Sequence, residues 1–214
     1  MAELGAREGK LVQYLNEAYG KEKELEIALQ AHIGLTTRVP YKKRLRQHLT
    51  ETKRHTRELE KRVKKLGGTP QTVPIDGPDA IAKGAGVAVG LASRAAAVAQ
   101  GPLRAIRGTS DEEKMLKNAK SEYADEHEEI AIYTAIETLS EALGDPDTAK
   151  LARTIRREEE SMASFLAKQI PILTRAVAQT EVPANERARP TRRRSRSSPA
   201  SSTSKRSTRS LGGG

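Results

Sequence analysis

Leu116-Lys-Asn-Ala-Lys-Ser-Glu-Tyr-Ala-Asp-Glu-His-Glu-Glu-Ile-Ala-Ile-Tyr133 is the stretch on which the fold turns. Leu116, Ala119, Tyr123, Ile130 and Tyr133 recur at the three- and four-residue spacing of one helix face. Glu126 falls on that same face. A lone carboxylate in an apolar stripe is costly unless it is paired, protonated or bound to a metal. Three other stretches repeat the pattern. Glu22 lies among Leu11, Leu15, Ala18, Leu25 and Leu29. Glu51 sits beside His48, Thr52 and His55 in a stripe running from Leu45 through Leu59 to Leu66. Glu158 lies among Leu151, Ile155, Met162 and Phe165, with Glu159 and Glu160 expected on the solvated flank. Four interrupted stripes predict an all-α, antiparallel four-helix bundle whose carboxylates meet at one height.

Local signals mark the helix ends. The first helix is expected over about residues 8–33 and the second over about 41–66, with Pro40 in a first turn and Gly67-Gly68 as the stop. Ser110-Asp-Glu-Glu113 reads as a capping box that opens the third helix, which ends near Leu143-Gly144. Asp145-Pro146 supplies a cap and a first-turn proline for the fourth, with Pro171 expected to kink or split it. Between helices two and three, residues 69–109 form an insertion rich in Ala and Gly, read as one long crossover carrying an extra helix. A bundle helix of about 25 residues is about 38 Å long, so helices two and three, if parallel, need such a connection.

Composition narrows the chemistry. The 214 residues include no Cys and no Trp and only one Phe, so any metal must be held by carboxylate and imidazole. The first residues lack a signal-peptide core, and no stretch is apolar enough for a membrane span, which makes a cytoplasmic location the expectation. Of the net charge of +10, residues 181–214 carry +7, so residues 1–180 form the bundle domain and the rest a disordered basic tail rich in Ser and Arg. That tail, from Arg192 to Arg209, has no aromatic residue to stack on bases, so any nucleic acid it binds is bound without regard to sequence. Leu211-Gly-Gly-Gly214 is too short to interpret.

Glutamates at one bundle height suit two hard or borderline cations, Fe or Mn, whose charge about four carboxylates offset. Tyr19-x-x-Glu22 and Tyr123-x-x-Glu126 match locally and hint at duplication of a helical hairpin. Helix two departs from the di-iron bundle pattern of Glu-x-x-His, since it reads His48-x-x-Glu51-x-x-x-His55, and helix four carries no histidine. Glu129, one turn after Glu126, compensates. His32 is expected to be structural, and His127 points well away from Glu126 around the helix.

Lys21-Glu22-Lys-Glu-Leu25 with Ala28-Leu29, His48-Leu-x-Glu51-Thr52, Glu126-His127-x-Glu129-Ile130-Ala131-x-Tyr133, and Leu143-Gly144 followed by Arg157-Glu158 together resemble the ferritin-like stress proteins of the YciE/YciF type. The resemblance spans residues 10–66 and 112–170. It implies a ferritin-like bundle with a di-metal site, in which Glu22, His48, Glu51, Glu126, Glu129 and Glu158 inherit the ligand roles. The expected function is binding of two Fe or Mn ions in stress or oxidative defence, with reactivity toward peroxide or oxygen, in a homodimer or higher oligomer. The alternative is a non-enzymatic scaffold whose tail binds nucleic acid.

Overall fold

The computed structural model describes residues 4–72 and 110–187, and the expected crossover helix and basic tail lie outside them apart from their first few residues. Four helices account for nearly all of these residues: α1 Ala6–Leu35, α2 Val39–Lys65, α3 Asp111–Ala142 and α4 Pro146–Glu181. Each predicted boundary lies within a few residues of the observed one. The exception is the expected break at Pro171, because α4 runs through it without interruption.

The helix ends follow from the residues flagged in the sequence. Ser110 accepts a hydrogen bond from the Glu113 amide, and Asp145 accepts one from the Thr148 amide. At the end of α2, Gly67 at φ +83° lets its amide reach Lys64 and the Gly68 amide reach Val63. Gly144, at φ +67°, repeats this arrangement: its amide reaches Glu141 and that of Asp145 reaches Ser140. Asp145 therefore closes α3 and opens α4 within one residue.

Side-chain contacts set the topology. Arg7 near the start of α1 bonds the Leu143 and Gly144 carbonyls, while His32 near its end meets Glu122, so α1 and α3 are antiparallel. Arg62 near the end of α2 grips Asp145 at the start of α4, so these two are antiparallel as well. Glu22 faces His55, and Asn16 bonds the Thr69 carbonyl, which makes α1 and α2 antiparallel. It follows that α2 and α3 run parallel. They lie on a diagonal of the bundle and meet only through side chains across its centre, so the connection between them joins opposite ends of the molecule.

The core is split in two. One apolar plug gathers Leu25, Leu29, Tyr41, Leu45, Met115 and Leu166, and the other gathers Leu15, Leu59, Val63, Tyr133, Ile136 and Ile155. Burying one such side chain contributes about 1.5–3 kcal/mol. On every helix the residues between the plugs are the charged ones, so the bundle holds a polar layer sealed from both ends.

Candidate metal centre

Four glutamates and two histidines fill that layer, and all are fully buried: Glu22, His48, His55, Glu126, Glu129 and Glu159. Their arrangement is two-lobed. In one lobe, His48 Nε2 lies 2.9 Å from Glu126 Oε1 and 3.6 Å from Glu159 Oε2. In the other, His55 Nδ1 lies 3.1 Å from Glu22 Oε1 and 3.0 Å from Glu159 Oε1. Each lobe gathers three potential metal-ligand atoms within 4.8 Å of one another, and Glu159 belongs to both. Glu129 stands beside them, close enough for Glu22, Glu159 and Glu126 to act on its charge.

The outward nitrogens of the two rings are also engaged. His48 Nδ1 lies 3.2 Å from Glu51 Oε2, and Arg44 donates to that same oxygen at 2.9 Å. His55 Nε2 lies 2.6 Å from Glu158 Oε2, which Arg54 also bonds. Glu51 and Glu158 line a surface cavity of about 320 Å³ between α2 and α4, together with Arg44, Gln47 and Arg157. Tyr133 donates its hydroxyl to Glu22 at 2.5 Å from inside the bundle.

Burial sets the protonation of this layer. It pushes Glu126 up to about 8, against the pull of His48 and with the push of Glu159. Burial, followed by the charges of Glu22, Glu159 and Glu126, drives Glu129 well above the carboxylate range. Burial opposes the charged form of both histidines, but the surrounding carboxylates outweigh it and raise His48 to about 10 and His55 to about 11. Glu159 goes the other way. Burial would raise it, yet His55 and His48 hold it below its ordinary value. Glu51, half outside, is held down to about 2 by His48 and Arg44, with burial opposing.

These residues fit a metal pair. Glu22 Oε2, His48 Nε2 and both oxygens of Glu126, Glu129 and Glu159 are buried without a hydrogen bond. Close approaches among them lack hydrogen-bond alignment, so this much orphaned polarity in a buried layer calls for a cationic partner. Four carboxylates and two neutral imidazoles balance two divalent cations, with hard oxygen and imidazole donors of the kind Fe and Mn accept.

Of the residues expected as ligands, the structure brings Glu22, His48, Glu126 and Glu129 into the layer and leaves Glu51 and Glu158 at its outer edge. Glu159 is corrected from the solvated flank to the centre: its side chain is 0 % exposed, against 29 % for Glu158. The apolar seam of α4 runs through Ala152, Ile155, Met162 and Leu166, and Glu159 is the position that continues it. Reading the seam through Leu151 and Phe165 shifted it by one residue, since both are only partly buried. His55 also belongs to the layer. His127 does not, because it is exposed with its ring edge-on to Tyr123, and His32 pairs with Glu122 in a separate buried cluster with Tyr41.

Comparison with known proteins places this arrangement. The family model described as "Domain of unknown function (DUF892)" matches residues 7–101 and 95–179. A protein from Xanthomonas campestris pv. campestris superposes with a TM-score of 0.62 at 24% identity, covering 82% of this chain and 97% of its own. The E. coli stress protein YciF superposes at 0.59 and 20% identity, covering 80% and 99%. The bacterioferritin of Desulfovibrio desulfuricans, which has a diiron site, does so at 0.56 and 18% identity, covering 81% and 87%. The shared fold is the ferritin-like four-helix bundle.

Proposed function

The chain belongs to the DUF892 family, with the YciE/YciF-type character its motifs announced, and on that premise we propose that it binds two Fe or Mn ions in stress or oxidative defence. The observation that carries this reading is Glu159, whose two oxygens face separate lobes, each completed by one histidine and one further glutamate. Glu22 and His55 would hold one ion, Glu126 and His48 the other, with Glu159 between them and Glu129 as the remaining carboxylate. A bound pair of this kind supplies redox reactivity toward oxygen or peroxide.

The chain's own residues prepare the site. His48 turns Nε2 inward and His55 turns Nδ1 inward, because Glu51 and Glu158 accept from the opposite ring nitrogens. This fixes which nitrogen is free of its proton when a cation occupies the layer. Tyr133 orients Glu22, and its own phenol stays neutral because burial, and then the charge of Glu22, raises it far above its ordinary value. The two apolar plugs exclude water from the layer's ends, and the cavity between α2 and α4 leaves an approach for a small oxidant.

Metal analysis tests the reading. Protein purified without chelators and reconstituted anaerobically with Fe(II) or Mn(II) is expected to retain about two ions per chain after gel filtration. Retention below about one ion per chain would end the proposal.

A further inference from the structure

The near-neutral charge of the bundle conceals a segregation. Helix α2 carries eleven Lys and Arg against three Glu, whereas α3 carries ten Asp and Glu against three Lys. Three acids of α3, Glu122, Glu126 and Glu129, are buried in the bundle, and Asp125 and Glu128 hold Lys21 at its surface. On α2, Arg44, Arg54, Arg62, Lys64 and Lys65 are paired with acids, but a row of its other cations is not.

Lys43, Arg46, Lys53, Arg57 and Lys61 follow one another at spacings of three, seven, four and four residues, with Thr50 in the single gap. At 100° per residue they fall within an arc of about 80°, opposite the core face of Leu45, His48, Thr52 and Leu59. They extend over about 27 Å at 1.5 Å per residue. Among the described residues none of the five makes an ion pair. The acids of α2 are committed elsewhere: Glu51 to Arg44 and His48, Glu58 to Arg54, and Glu60 to Lys64. An uncompensated row of cations on a straight rigid rod is complementary to an extended polyanion.

We propose that this face of α2 binds the phosphate backbone of double-stranded nucleic acid. Two features favour a duplex over an anionic membrane. The apolar side of α2 is buried in the bundle, so nothing flanking the row can enter a bilayer as an interfacial helix requires. The row is also linear, with a single gap at Thr50, which suits an extended phosphate chain. It has no aromatic side chain to stack on bases, and its cations are proposed to contact phosphates, which carry no sequence information, so binding is indifferent to sequence. Duplex binding of this kind would set the metal layer, one helix thickness away, beside the nucleic acid. The surface itself depends only on α2 and not on the metal reading.

The test uses the full chain and a random-sequence 20-base-pair duplex, with affinity measured by fluorescence anisotropy between 50 and 200 mM salt. One variant changes Lys43, Arg46, Lys53, Arg57 and Lys61 to Gln. A control removes the same charge elsewhere, by changing Lys10, Lys117, Lys120, Lys168 and Arg175 to Gln. Five phosphate contacts correspond to a slope of log K against log salt of about −4.5. The α2 variant is expected to bind at least about 30-fold more weakly at 50 mM salt and to lose about three to five units of that slope, while the control changes affinity by less than about threefold. Equal losses in the two variants, or none in the α2 variant, would overturn the proposal in favour of diffuse or tail-borne binding. Vesicles rich in phosphatidylserine provide the other arm. If the α2 variant loses vesicle binding but keeps duplex binding, the surface is a membrane site and the proposal fails.

Discussion

Glu158 and Glu159, adjacent in sequence, approach opposite nitrogens of one imidazole: Glu158 Oε2 lies 2.6 Å from His55 Nε2, and Glu159 Oε1 lies 3.0 Å from His55 Nδ1. One residue of helix rotation separates a carboxylate that faces both lobes of a buried site from one that holds a ring from outside. This division of labour makes their substitutions diverge. Glu159→Ala should reduce metal retention to one ion per chain or fewer, because both lobes lose a ligand. Glu158→Ala should keep two ions per chain but bind them about 10–100-fold more weakly, as the ring loses its orienting partner. Titration with Mn(II) followed by elemental analysis distinguishes the two. A two-ion Glu159→Ala variant alongside a metal-free Glu158→Ala variant would reverse the assignment.

Glu129 gives a prediction for the metal-free protein. Burial and three neighbouring carboxylates raise its side chain well above the carboxylate range, which favours the neutral acid in this layer. Glu129→Gln replaces that acid with a neutral group of nearly the same shape. In the presence of chelator the melting temperature should stay within about 2 °C of the parent chain or rise, whereas metal retention should fall. A drop of more than about 5 °C, roughly 2 kcal/mol for a domain of this size, would show that the carboxylate is ionised and needed for folding.

Asp145 gives the acid limit of the α3–α4 corner. Burial alone would raise it, but the Thr148 hydroxyl, Arg62 and the Thr148 amide hold it below its ordinary value near 3.8. A carboxylate lowered in the folded state contributes stability that is present above its unfolded value and lost as pH falls through its folded one. Asp145→Ala should therefore cost about 1–2 kcal/mol at pH 7, as loss of a helix cap does. The gap between variant and parent in urea unfolding should narrow below about pH 4. A gap that is constant from pH 7 to pH 3 would contradict this account.

Metal entry and protons compete for the same atoms. His48, His55 and Glu126 hold protons at pH 7 in the metal-free layer, burial favours the protonated form of Glu129 as well, and each of the four must lose a proton to serve as a ligand. The layer thus stores charge balance as protons until cations replace them.

Much of this was legible without a fold. The stripes of α1 and α3 placed Glu22 and Glu126 correctly in depth and direction, because each is flanked on both sides by residues that proved fully buried, such as Leu15, Leu25 and Tyr133. Gly67, Gly144, Ser110 and Asp145 announced their helix ends, since caps depend on a few neighbouring residues. Helix α4 was ambiguous for a physical reason. Glu158 is three residues after Ile155 and four before Met162, and Glu159 is four after and three before, so local periodicity serves both equally. Only Ala152 and Leu166, each seven residues from Glu159, break the tie, and an alanine is a weak signal of burial.

The sequence by itself determined four helices, their ends, and the gathering of carboxylates at mid-height, because backbone capping and a 3.6-residue period act over short range. Tertiary structure alone decided which acid bridges, which acids stand behind the histidines, and which nitrogen of each ring turns inward. Apart from Glu51 behind His48, those outcomes depend on side chains from different helices, with His55 and Glu158 103 residues apart. Tertiary structure also separated the charges, turning Glu122, Glu126 and Glu129 of α3 inward and leaving the unpaired cation row of α2 outside. Net charge is a sum over the chain, whereas a binding face depends on direction.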